Sequence, residues 1–275
     1  MAAISLDGAR AKIERAGEHR EALEKEVRAW VESNPHAVTT EATERVETEK
    51  TRWSVRVGDV CQPDPRRWAL IFGDAVHNLR CALDQLFYAV AECYAPGEGL
   101  GQRTFPVLGQ RERFWGDGKK DIGFKKRRDC LRLPEGVWTA IEREQPYLRR
   151  DEAPVHLLEV LNDLDIRDKH HALTSLLIVH PRIEWLNMDH VGGNVEVFIV
   201  DEVTKRGIQR LDKGTEIATL VVHQPRPNMQ PYFRLATTVA IDIGLPDEPA
   251  PARLLLKKIA AEVEAVIQRV SSAVI

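Results

Sequence analysis

The sequence predicts an α+β fold in which a helical bundle is packed with a C-terminal antiparallel β-sheet and a closing C-terminal helix. Apolar residues recur every three or four positions through much of the first half of the chain and again at its end. Between these segments, short runs of β-branched residues are separated by Gly, Pro and Asn. We therefore expect a single domain over 1–275, with helical parts at 1–34, 66–171 and 250–275 and β-rich parts at 37–60 and 172–243.

Each predicted element follows from its local pattern. Helices are expected where apolar spacing of three and four lies between Pro or Gly signals, namely at residues 5–33, 66–94, 134–144, about 153–170 and 250–272. Strands are expected where apolar residues alternate with polar ones or where β-branched residues cluster. They form a hairpin within 37–60 and the runs 176–179, 195–200, 217–222 and 233–241.

The composition is ordinary for a globular protein, with 43% hydrophobic and 29% charged residues. A formal net charge of −3 argues against bulk electrostatic capture of nucleic acid, although it leaves room for a local basic patch. The 4 cysteines lack the CxxC spacing of a zinc ribbon. Because no apolar run approaches the roughly 20 residues that span a bilayer, we expect a cytoplasmic protein without a membrane segment.

Residues 73–84, Gly-Asp-Ala-Val-His-Asn-Leu-Arg-Cys-Ala-Leu-Asp, place ionisable side chains in a row on an apolar helix. At about 100° per residue, His77, Arg80 and Asp84 fall within an arc of about 60°. Such a row is either a polar network that fixes how two helices pack or a reactive site. In a reactive site, His77 would be the acid or base and Arg80 would hold a phosphate or an oxyanion.

A second polar segment, residues 161–171, lies at the end of another predicted helix. Its apolar stripe, when continued, reaches Asp168 and His171. An unpaired buried charge costs several kcal/mol, so these side chains need partners. We expect Arg80 to form a salt bridge with Asp165 or Asp168, because a guanidinium can bind a carboxylate with two hydrogen bonds. This salt bridge would join the two polar segments.

The two segments together resemble a group of bacterial and phage proteins marked by a GD-HNLR-ALD helix and a later D-DKH helix. In this chain, the motifs are Gly73-Asp74, His77-Asn78-Leu79-Arg80, Ala82-Leu83-Asp84 and Asp165 followed by Asp168-Lys169-His170. That group is in turn distantly similar to the HEPN superfamily of helical proteins. Many HEPN proteins are metal-independent ribonucleases of toxin–antitoxin and anti-phage systems.

The resemblance implies a protein of RNA processing or phage defence that uses no cofactor and, if catalytic, cleaves RNA without a metal. The expected catalytic residues are His77, Arg80, Asp84, Arg167, Asp168 and His170. The expected substrate contacts are Asn78, Lys169 and the basic residues Lys125, Lys126, Arg127 and Arg128. The expected partners are RNA, a small antitoxin-like protein and, through the amphipathic terminal helices, a second copy of the chain.

Other interpretations stay open. The basic cluster within residues 119–132 is either a solvated loop or a phosphate-binding patch. Asp74-x-x-His77 and Asp168-x-x-His171 loosely resemble metal sites of helical bundles, but they offer fewer ligands, so we predict no metal. The whole protein could instead be a non-catalytic interaction module with a structural polar network, or a hydrolase that uses a bundle pocket. The sequence has neither a nucleophile elbow nor a Gly-rich phosphate loop, which argues against classical hydrolases and nucleotide enzymes.

Overall fold

The α+β fold class is confirmed by the structure, a computed structural model. The described residues are 4–33, 36–47, 50–60, 64–97, 103–115, 128–148, 156–170, 176–187, 195–199, 213–223, 232–241 and 250–274. The chain divides into two compact units. The helical unit comprises Met1–Leu23, Arg66–Thr174 and Leu254–Ile275, and the strand unit comprises Glu24–Pro65 and Ser175–Arg253. The expectation of a single domain stays a prediction.

Apart from α3, for which no helix was predicted, the helices of the described residues lie close to their predicted positions. They are α1 (Asp7–Glu32), α2 (Pro65–Tyr94), α3 (Arg111–Trp115), α4 (Glu135–Arg143), α5 (Leu157–His170) and α6 (Ala252–Ser272). Helix α5 begins later than the predicted residue 153. The side chain of His156 explains this start, because its Nδ1 accepts a hydrogen bond of 3.2 Å from the backbone N–H of Leu158 and so caps the first turn.

Helix α2 supplies the centre of the core of the helical unit. Its predicted apolar face is fully buried and consists of Phe72, Ala75, Val76, Leu79, Leu83, Leu86 and Val90. The predicted seam of α6 is buried in the same way and consists of Leu256, Ile259, Val263, Val266 and Val270. Full burial of one such large side chain stabilises a fold by about 1.5–3 kcal/mol. The core therefore holds α2 rigidly, and its polar row projects from a fixed backbone.

The strand unit contains two antiparallel sheets. One has the order β1 (His36–Glu47), β2 (Lys50–Val60), β5 (Glu216–His223) and β4 (Val195–Ile199). The other has the order β3 (Leu176–Asn187), β6 (Tyr232–Ile241) and β7 (Ala250–Pro251). The predicted hairpin is thus confirmed as β1 and β2, and each predicted C-terminal run is a strand. Among the described residues, no helix is long and apolar enough to cross a membrane.

Candidate functional site on α2 and α5

The two polar segments meet where α5 lies against Gly73 of α2. A Cβ atom on Gly73 would lie 2.5 Å from Oδ1 of Asp168 and 2.8 Å from its Cγ, which is closer than real Cβ contacts come. Only a residue without a side chain permits this approach. The pairing of the two motifs in space, expected from their polar residues, is therefore present. The polar contact that joins α2 to α5 is made by His77 and not by Arg80.

His77 makes the contact between the two helices. Its Nδ1 lies 3.1 Å from Oδ1 of Asp165 on α5. The Asp165 side chain is only 7% exposed, whereas that of His77 is 44% exposed. An ionised carboxylate can only accept hydrogen bonds, so we infer that the proton of the neutral ring is on Nδ1. The Nε2 of His77 then keeps its lone pair and can act as a base.

Two lysines from different helices bind residues that adjoin His77. Lys169 donates from Nζ to Oδ2 of Asp165 at 2.7 Å, one turn away on α5. Lys12 of α1 donates to Oδ1 of Asn78 at 3.3 Å, and the side-chain amide of Asn78 donates to the backbone oxygen of Asp74 at 2.8 Å. Helices α1 and α5 thus each place one ammonium group on a side chain next to His77: Lys12 on Asn78, its neighbour in the chain, and Lys169 on Asp165, its carboxylate partner. Such groups can stabilise negative charge that develops on a bound substrate.

Asp168 differs from Asp165 in its surroundings. Among the described residues, it makes no hydrogen bond or ion pair, and its carboxyl group lies against Gly73. Burial is the largest cause that raises the pKa of Asp168, and the neighbouring carboxylates of Asp165 and Asp74 raise it further. His77 and Lys169 partly oppose the rise in this pKa. The group therefore keeps its proton to a higher pH than an ordinary aspartate does.

Replacement of Asp168 by Asn should stabilise the protein at pH 7. Because the folded state raises the pKa of Asp168, the fold favours its neutral form, and stability is lost as the pH rises through that pKa. The stability gap between Asp168→Asn and wild type should shrink as the pH falls toward about 4, the ordinary pKa of aspartate. Urea unfolding across this pH range measures the gap. Asp163→Asn, at an exposed position of the same helix, controls for helix propensity. A variant less stable than wild type at pH 7 would contradict the prediction.

The prediction of a salt bridge from Arg80 to Asp165 or Asp168 is wrong. Arg80 instead places Nη1 2.9 Å from Oδ1 of Asp84 and donates from Nη2 to the backbone oxygen of Phe105 at 2.7 Å. The same Oδ1 of Asp84 accepts the backbone N–H of Phe105 at 2.8 Å. Arg80 and Asp84 therefore bind both polar groups of one backbone residue. The segment around Phe105 covers this part of α2, and His77 takes the contact with Asp165 that was expected of Arg80.

The other predicted site residues either lie away from the His77–Asp165 pair or fall outside the described residues. Arg167 is half-buried on α5, and His170 ends that helix, with its side chain outside the described residues. The positions of His171, Lys125, Lys126 and Arg127 also lie outside the described residues. The guanidinium of Arg128 lies over the ring of Trp115, 4.4 Å from its centroid, and 5.8 Å from that of Trp138. Arg128 is thus packed against an aromatic cluster.

Two residues of the site were missed by sequence reasoning. Cys81 is not among the predicted site residues, but its Sγ lies 3.4 Å from Nε2 of His77. Their separation by four residues on a helix is the signal that could have identified this contact. Lys12 gave no such signal, because its contact with Asn78 spans 66 positions along the chain.

Comparison of the chain with protein-family models, with curated proteins and with solved structures finds no match. Within the described part of the chain, no group of three or more His, Cys, Asp or Glu side chains is arranged to hold a metal ion.

Proposed function

We propose that this chain is a HEPN-like protein of RNA processing or phage defence that cleaves RNA without a metal ion in the bacterial cytoplasm. The observation that carries the proposal is the half-exposed imidazole of His77, whose Nδ1 is held by the buried carboxylate of Asp165. A histidine oriented in this way is the usual acid–base group of enzymes that work near neutral pH. The resemblance of the two motifs supplies RNA as the substrate.

The reaction would use the 2′-hydroxyl of RNA as its nucleophile. Nε2 of His77 takes the hydroxyl proton while the 2′-oxygen attacks the adjacent phosphorus. The bond from phosphorus to the 5′-oxygen breaks, and that oxygen receives a proton from the carboxyl group of Asp168. The products are a 2′,3′-cyclic phosphate and a 5′-hydroxyl. Lys169 and Lys12 offset the negative charge that accumulates on the phosphoryl oxygens.

This assignment changes the roles that the resemblance implies. Arg80 and Asp84 bind the backbone of Phe105, and the Arg80 side chain is 11% exposed, so we assign the phosphate contacts to the lysines instead. RNA contacts by the basic residues between 125 and 128, an antitoxin-like partner and a homodimer remain proposals that follow from the sequence.

A second candidate function rests on the pair of Arg80 and Asp84. Because Arg80 and Asp84 fasten the segment around Phe105, part of the polar row serves the fold. If His77 and Asp165 served only to join α2 and α5, the protein would be a non-catalytic interaction module. The two candidates differ in one measurable property, which is turnover of RNA.

The experiment is incubation of the purified protein with RNA in the presence of EDTA. We expect cleavage that leaves 2′,3′-cyclic phosphate and 5′-hydroxyl ends, because the attacking oxygen comes from the RNA itself. A 5′-hydroxyl end is labelled directly by polynucleotide kinase. A 5′-phosphate end is labelled only after phosphatase treatment. Products with 5′-phosphate ends, or absence of cleavage by a folded protein, would overturn the proposal and favour the interaction module.

A further inference from the structure

A thiol faces the imidazole of His77 on the side opposite Asp165. Cys81 lies one turn further along α2, with its Sγ 3.4 Å from Nε2 of His77, and Nδ1 of the same ring lies 3.1 Å from Asp165. The order thiol, imidazole and carboxylate is that of a nucleophile, its base and the group that orients the base. Cys81 and His77 are both partly exposed, so a small molecule can reach the thiol.

We propose that Cys81 is a nucleophile toward acyl donors such as activated esters and thioesters, with His77 as its base and Asp165 as a positioning residue. This activity is additional to RNA cleavage, which needs no thiol. The two proposals share the imidazole of His77, but their substrates and products differ. Each can therefore fail without the other.

The step balances within the site. The thiol proton moves to Nε2 of His77 while Sγ forms a bond to the acyl carbon. When the tetrahedral intermediate collapses, the bond from the carbon to the leaving oxygen or sulfur breaks, and His77 returns the proton to that leaving group. Water, deprotonated by His77, then cleaves the S-acyl bond. A carboxylic acid and the free thiol result.

The surroundings of Cys81 make the attack of its thiol depend on His77 as a base. Burial is the main cause that raises the pKa of the Cys81 thiol. Lys12 and Lys169 lower this pKa, whereas Asp84 and Asp165 raise it. The net result is a thiol that stays neutral at physiological pH and needs a base to become a nucleophile. The two lysines are placed to stabilise negative charge on sulfur or on the carbonyl oxygen during the reaction.

The test uses p-nitrophenyl acetate as the acyl donor. Release of nitrophenolate is followed by absorbance, and peptide mass spectrometry locates the acetyl group. We expect acetylation of Cys81 and an initial burst of nitrophenolate. Both should persist in Cys93→Ala, which removes an exposed thiol on the same helix, and both should be lost in Cys81→Ser.

Variants of the other two residues test the roles of base and positioning residue. His77→Ala should slow acetylation of Cys81 by about 10²–10⁴-fold, the usual contribution of general acid–base catalysis. Asp165→Asn should lower the rate less and should shift its pH profile, which loss of packing alone would not do. Circular dichroism checks the fold of each variant, and His77→Gln replaces His77→Ala if the latter unfolds. Acetylation confined to Cys93, or an unchanged rate at Cys81 in a folded His77 variant, would overturn the proposal.

Discussion

His77→Ala should lower the rate of RNA cleavage by about 10²–10⁴-fold while the protein stays folded, because the substitution removes the base that receives the 2′-hydroxyl proton. Single-turnover cleavage of an end-labelled RNA in EDTA measures this rate. The fold should survive, since the His77 side chain is half-exposed and belongs to the polar face of α2. Truncation of a half-exposed side chain leaves no large cavity in the core.

A matched control is available in the strand unit. His223 pairs with Glu196 through Nε2 and Oε1 at 3.2 Å, so it is another histidine–carboxylate pair at the protein surface. His223→Ala should cleave RNA at the wild-type rate. If His77→Ala also retained the wild-type rate, the cleavage would come from another site or from a contaminating nuclease.

Arg80→Ala should lower the free energy of unfolding by about 3 kcal/mol, the lower end of the range for breaking a buried ion pair. The substitution removes the guanidinium donor of the Phe105 backbone oxygen and leaves the carboxylate of Asp84 with only the backbone N–H of Phe105. Burial already raises the pKa of Asp84, and Arg80 acts in the opposite direction on that pKa. Removal of the guanidinium therefore takes away the main group that stabilises the ionised form.

Urea unfolding at pH 7 measures the effect of Arg80→Ala. The control is Arg253→Ala, whose side chain is 73% exposed and lies 4.0 Å from Glu24. An exposed ion pair contributes about 0–1 kcal/mol, so this variant should change stability little. An equally small effect of Arg80→Ala would contradict a structural role of the Arg80–Asp84 pair. Arg80 would then again be a candidate phosphate ligand.

The parts of the fold that the sequence predicted are those governed by periodicity. Apolar spacing identified the buried face of α2, because a helix with a three- to four-residue repeat must bury one side. It also identified α6, and β-branched runs identified β5 and β6. For α2, α6 and β5, the local pattern and the burial in the structure depend on the same side chains.

Periodicity also placed His77, Arg80 and Asp84 on one face of α2, but it could not assign their partners. The partner of Arg80 is a backbone residue, Phe105, in a segment without periodic pattern. A backbone oxygen has no signature in a sequence, whereas the carboxylate of Asp165 does. The charge argument therefore favoured Asp165 for Arg80, although the shorter and half-exposed His77 makes that contact.

The role assigned to Asp165 is to fix the imidazole of His77 with its proton on Nδ1 and its lone pair on Nε2. The most direct test is nitrogen NMR of the protein labelled with ¹⁵N at histidine, which separates protonated from unprotonated ring nitrogens. We expect the neutral ring of His77 to carry its proton on Nδ1, and we expect this signal to change in Asp165→Asn. A neutral ring protonated at Nε2, with a spectrum unaffected by Asp165→Asn, would contradict this role of Asp165.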